Sequence, residues 1–417
     1  MEKLNIGITI HLDYTDTIKG SIWSCGNRQT IFYLKRTLEQ TGHNVFLVEA
    51  SARQIKDEEA LFKDEKVYRV KDIGAQLDII VLHGTELLVQ DAENLHKLGC
   101  KIIKMQGGNS YVFLMEAILF KEAGGALDNT TATRDDLIDE IWTIPQHENT
   151  CYHYFELVHR CPVTVIPHLW NPIFLDDAAK LLESGRPYKI EYKNTGKKEK
   201  RISVFEPNLN VVKNAIMPML IVEKLYREKP ELIDTLYVTN AFKIREHNRF
   251  LEFALPLDIV KDKKAWFEKR YPIAYWLGRR TDVCVIHQWE NAMNNMYLDA
   301  LHFNYPLVHN SHFWKDYGYY YEGFNVADGA EALKRAIETH DDNLEEYKKK
   351  SQELIWKHHT DNPDNIEFMK DVLSKYSPKE NRNEIADLLK KRDEENKSTS
   401  KNKGSNITPK KKKRKKK

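Results

Sequence analysis

The sequence predicts an α/β protein with two domains and a basic tail. Each domain is a parallel sheet covered by helices on both faces, and the two face each other across a cleft. Three observations predict this. Short apolar runs alternate with helix-patterned segments along most of the 417 residues, the rhythm of strands buried by crossover helices. The rhythm breaks over "NPIFLDDAAKLLESGRPYKIEYKNTGKKEK", which holds Pro172, Gly185, Pro187 and a basic patch around Gly196 to Lys200, and then restarts. From Pro378 the chain is Lys-rich and almost free of large apolar residues, so it cannot bury enough surface to order itself. The expected units are residues 1–185, 201–375 and a disordered tail, 378–417.

The elements follow in order. "LNIGITIHL" reads as a buried strand, and "RQTIFYLKRTLEQTG" as a helix with apolar residues at helical spacing and a terminal glycine. "HNVFLVEA", "LDIIVLHG", "CKIIKMQGG", "IDEIWTIP" and "CPVTVIPHLW" supply the remaining strands of the first unit. In the second, "RISVFEPN" is a strand, "VVKNAIMPMLIVEKLYREKP" a helix, and "IDTLYVTN", "DVCVIHQ" and "YPLVHNS" further strands. Residues 328–339 form a helix with Asp328 as N-cap, and the last helices run over about 341–376.

Composition narrows the class. Hydrophobic residues are 41% and charged residues 30%, ordinary for a soluble globular protein. No apolar run reaches the ~18–20 residues that span a bilayer. "MEKLNIGITIHLDY" reads as a first strand and not a signal peptide, so the expected location is cytoplasmic. Cys25, Cys100, Cys151, Cys161 and Cys284 form no C-x-x-C pair and are expected to be free thiols. The net charge of +2 is uneven: residues 378–417 hold 16 Lys/Arg and 6 Asp/Glu, leaving the body at −8. The last eight residues are all basic. Such a run binds nucleic acid or an anionic membrane, directs nuclear import, or merely solubilises.

G-x-G-x-x-G after the first strand, G-x-x-x-x-G-K-[ST], H-E-x-x-H, G-x-S-x-G and kinase signatures are all missing, which argues against a dinucleotide dehydrogenase and a P-loop ATPase. "RDDLIDE" and "LDDAAK" read as caps or exposed faces, so no metal and no cofactor are expected. In open parallel sheets ligands bind beyond the carboxyl ends of the strands. Those positions hold "GSIWSCGNR" with Gly26 and Asn27, "HGTE" with His83, "QGGNS" with Gly107, Gly108 and Asn109, and "PQHENT". Glycines there permit close backbone approach, and helix N-termini hold anions or polar sugars. In the second unit Asn208 and Asn210 precede Lys213 at the start of a helix, suited to a diphosphate. Lys243, Arg245 and Arg249 offer further cations. "VCVIHQWEN" brings His287, Trp289, Glu290 and Asn291 to a strand end, Asp299 follows on the next helix, and Asn310 and Ser311 close the next strand. Eight aromatics (Trp266, Tyr275, Trp276, Trp314, Tyr317, Tyr319, Tyr320 and Tyr321) include candidates to stack on a base or sugar, and "DYGYYYEGF" is a candidate cleft loop.

At these residues the chain resembles a family. Strand, acid-bearing turn, helix with a second acid and then "PLV" is similar to the donor site of GT-B glycosyltransferases, closest to the large retaining family 4. Registered on Pro306, Asp299 takes the second acid's place and Asn291 the first's, with Glu290 one residue early; the glycine usual before that proline is missing. "WENAMNNMYLDAL", "YPLVHNS" and "GYYYEGFN" resemble a little-characterised bacterial group of glycosyltransferase-like proteins. The resemblance spans roughly residues 1 to 375. It implies two Rossmann-like domains and a metal-independent, retaining glycosyltransferase that moves a sugar from a UDP- or GDP-sugar to a glycan or other acceptor. It places Asp299 on the ribose and Glu290 or Asn291 on the sugar. Lys213, helped by Arg245, would stabilise the leaving diphosphate, and the Gly26–Asn27 and Gly107–Asn109 loops would meet sugar and acceptor. A nucleotide-sugar epimerase of the same fold and a nucleic-acid-binding protein acting through the tail are the competing expectations.

Overall fold

A computed structural model describes residues 2–10, 26–50, 65–120, 135–185 and 189–379; nearly all of the tail, with the expectations placed on it, lies outside these, as does Cys25. The first sheet has seven strands: β1 (Asn5–Ile10), β2 (Asn44–Glu49), β3 (Val67–Arg69), β4 (Ile79–Leu82), β5 (Lys101–Gln106), β6 (Glu140–Thr143) and β7 (Val163–Val165). Their order is β3-β2-β1-β4-β5-β6-β7, and every pairing is parallel. The second has six: β8 (Lys200–Val204), β9 (Ile233–Val238), β10 (Ala265–Phe267), β11 (Val283–Val285), β12 (Leu307–His309) and β13 (Tyr319–Tyr320). Their order, β10-β9-β8-β11-β12-β13, again all parallel, repeats the winding of the first. The architecture is two Rossmann-like α/β domains, as the sequence predicts.

The reason is burial. Every residue of β4, "IIVL", and of β11, "VCV", is buried, so helices must cover both sheet faces. The helix Gly26–Gln40 buries Ile31, Leu34 and Leu38 on β1 and β2. Gly7, mid-strand in β1, lies where a Cβ would come within 2.7 Å of Leu77, so only glycine lets that side chain close over the sheet.

Two boundaries differ from the sequence reading. Residues 190–192 already belong to the second domain: Tyr192 N donates to Phe303 O at 2.8 Å and its hydroxyl to Asp341 at 2.8 Å. At the other end the chain leaves that domain before its last helix. Trp170 and His359 pair as a parallel bridge, with Trp170 N donating to His358 O at 2.8 Å and Thr360 N to Trp170 O at 3.2 Å. The helix Pro363–Leu373 then packs on Gly26–Gln40, and Arg36 grips Asp361 through Nε and Nη2, each at 2.8 Å. Lys375 and Tyr376 reach Glu140, and Lys379 N donates to Asp78. The helix Val326–Thr339 is capped by Asn325, whose side chain accepts from Asp328 N, and not by Asp328. The four described cysteines are buried, and Cys100, Cys151 and Cys284 are free thiols. No described helix is long and apolar enough to cross a membrane.

Candidate active site

In each sheet the winding reverses beside its first strand, between β1 and β4 and between β8 and β11. Strand ends diverge at such points and leave a crevice at their carboxyl edge. Here both crevices open into one cleft of about 770 Å³, lined from both domains.

Its floor comes from the turn after β8. Glu206 is 2% exposed; its Oε1 accepts from His287 N at 3.2 Å, and Gln288 Nε2 reaches Oε2 at 3.5 Å. Lys213 reaches the same floor from a tight turn in which Lys213 N donates to Asn210 O at 3.4 Å. The following helix begins only at Ile216, so Lys213 precedes it instead of lying in its first turn. Its ammonium donates no hydrogen bond to a described residue. Burial pushes the Glu206 carboxyl up, against the pull of Lys213, and pushes Lys213 down, against the pull of Glu206; each group is drawn toward its neutral form. Asn210 Oδ1 is buried without a partner. Lys213 and the unpartnered Asn210 oxygen, both lining the cleft, are ready for an anion and a hydroxyl.

One wall belongs to the second domain. Thr239, Asn240, Arg270 and Tyr271 line it from the ends of β9 and β10. The Tyr271 ring, 37% exposed, is stacked on Trp276 at 4.6 Å and 26°. Asp299 lines it from the helix Asn295–His302, whose N-cap Asn294 accepts from Met296 N. Asp299 Oδ1 accepts from Trp170 Nε1 at 2.9 Å. Burial pushes its carboxyl up to about 7, with the Trp170 hydrogen bond and His302 pulling back. The facing wall carries Gly26, Asn27, His83, Gly107 and Gly108. Burial lowers the His83 pKa, leaving a neutral imidazole whose Nε2 has no partner. A Cβ on Gly108 would meet Phe113 at 2.8 Å, so glycine brings backbone up to the cleft surface.

The cleft therefore collects Gly26, Asn27, His83, Gly107, Gly108, Asn210, Lys213, Asn291 and Asp299. Other sequence candidates lie elsewhere. Asn208 spends its amide on Glu206 O, Thr239 O and Ala215 N, shaping the turn. Arg245 lies over the Phe242 ring at 3.8 Å and pairs with Glu246. Glu290 has φ +50° and contributes its carbonyl, which accepts from Asn109 Nδ2 at 3.1 Å; its side chain is outside the cleft lining. Asn109 is fully buried, also bonded to Thr150 and Val112 N. Asn310 pins the loop through Gln288 N and O, and Ser311 is buried behind it. Trp276, Trp314 and Tyr321 are core, and no residue of "DYGYYYEGF" lines the cleft. Sequence reasoning passed over Glu206, Arg270, Tyr271 and Gln146. Glu206 stands in "FEPN", directly after a recognised strand, and the strand-end rule applied evenly finds it. Arg270 and Tyr271 follow β10, whose apolar run, "AWF", is only three residues long.

Two sheets of the same winding facing one cleft define the GT-B class of fold. The chain belongs to the family described as "Protein of unknown function (DUF2827)", matched over residues 6–373. No curated protein matches it in sequence. Among solved structures it is similar to an alpha-glucosyltransferase in complex with UDP (13% identity, TM-score 0.54, covering 89% of this chain and all of that one). It is also similar to the α,α-trehalose 6-phosphate synthase of Burkholderia multivorans (11%, 0.51, 94% and 99%), and to Anabaena HepE in complex with UDP and glucose (9%, 0.51, 90% and 100%).

Proposed function

We propose that the protein is a glycosyltransferase that takes its sugar from a nucleoside-diphosphate donor, UDP- or GDP-linked, and passes it to a glycan or other acceptor without a metal and with retention. The observation that carries the reading is Lys213, an uncommitted cation at the junction of both cleft walls. As the glycosidic bond breaks, negative charge grows on the diphosphate, and a cation already fixed in a water-poor site stabilises that charge without reorganising. Arg270 takes the auxiliary place the sequence offered to Arg245. The Tyr271 face offers a platform for the base. In this reading Asp299 serves the ribose and Asn291, which lines the cleft where Glu290 does not, serves the sugar. Gly26, Asn27, His83, Gly107 and Gly108 form the acceptor side, where a neutral imidazole can accept a hydroxyl proton. That UDP and glucose occupy HepE, of the same fold, supports the donor class.

The test is a panel of UDP- and GDP-sugars incubated with and without saccharide acceptors, read by release of nucleoside diphosphate and by product mass. Acceptor-dependent release that Lys213→Met abolishes supports the reading. Isomerisation of the donor without acceptor, or turnover unaffected by Lys213→Met, overturns it.

A further inference from the structure

A second pocket, of about 120 Å³, adjoins the cleft. Gly26, Asn27, His83, Gly107 and Lys213 line both, so the two meet on the acceptor side. Leu34, Met105, Ile144, Leu169 and Met293, all buried, make the apolar part of its wall. Two imidazoles supply polar contacts. His83 is 4% exposed and His168 8%, and among the described residues neither His83 Nε2 nor His168 Nδ1 has a partner. Both rings are held. His83 Nδ1 faces Met105 O at 3.4 Å; a carbonyl only accepts, so Nδ1 carries the proton and Nε2 is an acceptor. The His168 ring packs edge-on against His358 at 5.4 Å and Trp314 at 6.1 Å, and its carbonyl accepts from His358 Nδ1 at 2.8 Å. Burial lowers the pKa of both imidazoles and keeps them neutral. A buried nitrogen left without a partner costs stability, so two around one small pocket call for an explanation.

We infer that this pocket holds the acetamido group of an N-acetylated amino sugar, and that such a sugar is the acceptor, taking the new bond at the hydroxyl beside its acetamido carbon. The acceptor's role rests on the proposed glycosyl transfer; the binding does not. Size decides among substituents. At about 30 Å³ for each water-sized group, a pocket of about 120 Å³ takes about four heavy atoms. That matches the nitrogen, carbonyl and methyl of an acetamido group, and neither a lone hydroxyl nor a whole hexose ring. Charge decides between an amide and a free amine. No described Asp or Glu lines the pocket, whereas Lys213 does, so an ammonium meets repulsion and no counter-ion. An anion would find one cation, Lys213, which the donor diphosphate claims in the proposed reaction. The imidazoles then fix the orientation. His168 Nδ1 donates to the amide oxygen, and the methyl lies on the apolar wall. His83, where pocket and cleft meet, keeps Nε2 for the proton of the neighbouring hydroxyl. Lys213 lines both cavities, which sets that hydroxyl beside the leaving diphosphate.

Saturation-transfer NMR of the full chain with methyl N-acetyl-β-glucosaminide and methyl β-glucoside tests this. We expect the acetyl methyl protons to take up the most saturation, and the glucoside to bind at least about tenfold more weakly. His168→Phe keeps the ring and removes its nitrogens; it should weaken binding of the acetylated sugar about tenfold with an unchanged melting curve. Thr30→Phe, which fills the pocket from a partly exposed helix position, should abolish the acetyl signal. Equal binding of the glucoside, tighter binding of the unacetylated amine, binding of neither sugar, or an acetyl signal that survives both substitutions overturns the inference. If the acetylated sugar binds through His168 and no donor yields product, the pocket stands and the transfer reading fails. If product forms as readily on glucosides, the transfer reading stands and the inference fails.

Discussion

Lys213 and Asp299 both lie in the cleft wall, yet burial moves their acid–base behaviour in opposite senses. Lys213 is the stronger test of chemistry. On the proposed reading, replacing it by Met removes the charge that stabilises the leaving diphosphate, and kcat should fall about 10²–10³-fold, equivalent to about 3–4 kcal/mol, in single-turnover kinetics with the preferred donor; a change confined to KM would mean that it only binds. Asp299 is the test of linkage. A carboxyl in the unfolded chain titrates near 4, while in the folded protein burial raises Asp299 to about 7. Between those values the native state holds a proton that the unfolded chain has lost, so stability falls as pH rises through the window. By pH 8 the deficit is on the order of 4 kcal/mol. Asn keeps an oxygen toward Trp170 Nε1 and does not ionise. Asp299→Asn should therefore leave stability at pH 4 unchanged and raise it at pH 8, measured by urea unfolding; an equal change at both would refute the shift. Asp299, Asn291 and Lys213 were legible in the sequence because each stands within a few residues of a recognisable strand or helix. That Glu290 turns its side chain out of the cleft was not, because it follows from a left-handed backbone at that residue, which Asn109 of the other domain holds in place.

At the scale of elements, the ten strands read from sequence are all present, and the three overlooked ones, β3, β10 and β13, share a cause. Each is an edge strand of two or three residues, paired on one side only. An edge strand is half solvated and can be short, and "VYR", "AWF" and "YY" are too short to stand out by pattern. The helix after β11 begins at Asn295, where Asn294 supplies the cap. The return helix is fastened by the Arg36–Asp361 fork, in which the guanidinium holds the Asp361 carboxyl down at about 2. A carboxyl lowered on folding adds stability above its unfolded value near 4 and loses it as pH falls toward 2. Both partners are partly exposed, so the contribution is about 1 kcal/mol or less. Arg36→Ala should lower the Tm at pH 7 by roughly 2 °C, a difference that shrinks by pH 3; calorimetry at the two pH values checks it.

At the scale of the whole molecule, hydrogen bonds among the described residues bind the domains across the cleft, including Asn109 to the Glu290 carbonyl at 3.1 Å, Gln146 Nε2 to Asn291 Oδ1 at 3.1 Å, and Glu116 to Val211 N at 2.7 Å. Gln146 also accepts from Met293 N, so it clamps the loop that carries Asn291. Gln146→Ala should raise the radius of gyration in small-angle scattering without ligand, and weaken nucleotide binding about thirtyfold for two lost buried hydrogen bonds, roughly 2 kcal/mol; an unchanged scattering curve would show that the clamp does not hold the domains. The sequence displays two α/β repeats and the break between them. It does not display that the last helix belongs to the first domain, since apolar periodicity says which face is buried and not against what. The two passages of chain between the domains, at Trp170 and at His359, lie side by side as a bonded pair. Two strands fixed at one line behave as a door hinge: the halves can swing about that line but cannot slide or twist apart. Opening is therefore confined to a single arc, and each closure returns Lys213 and the glycine loops to the same register.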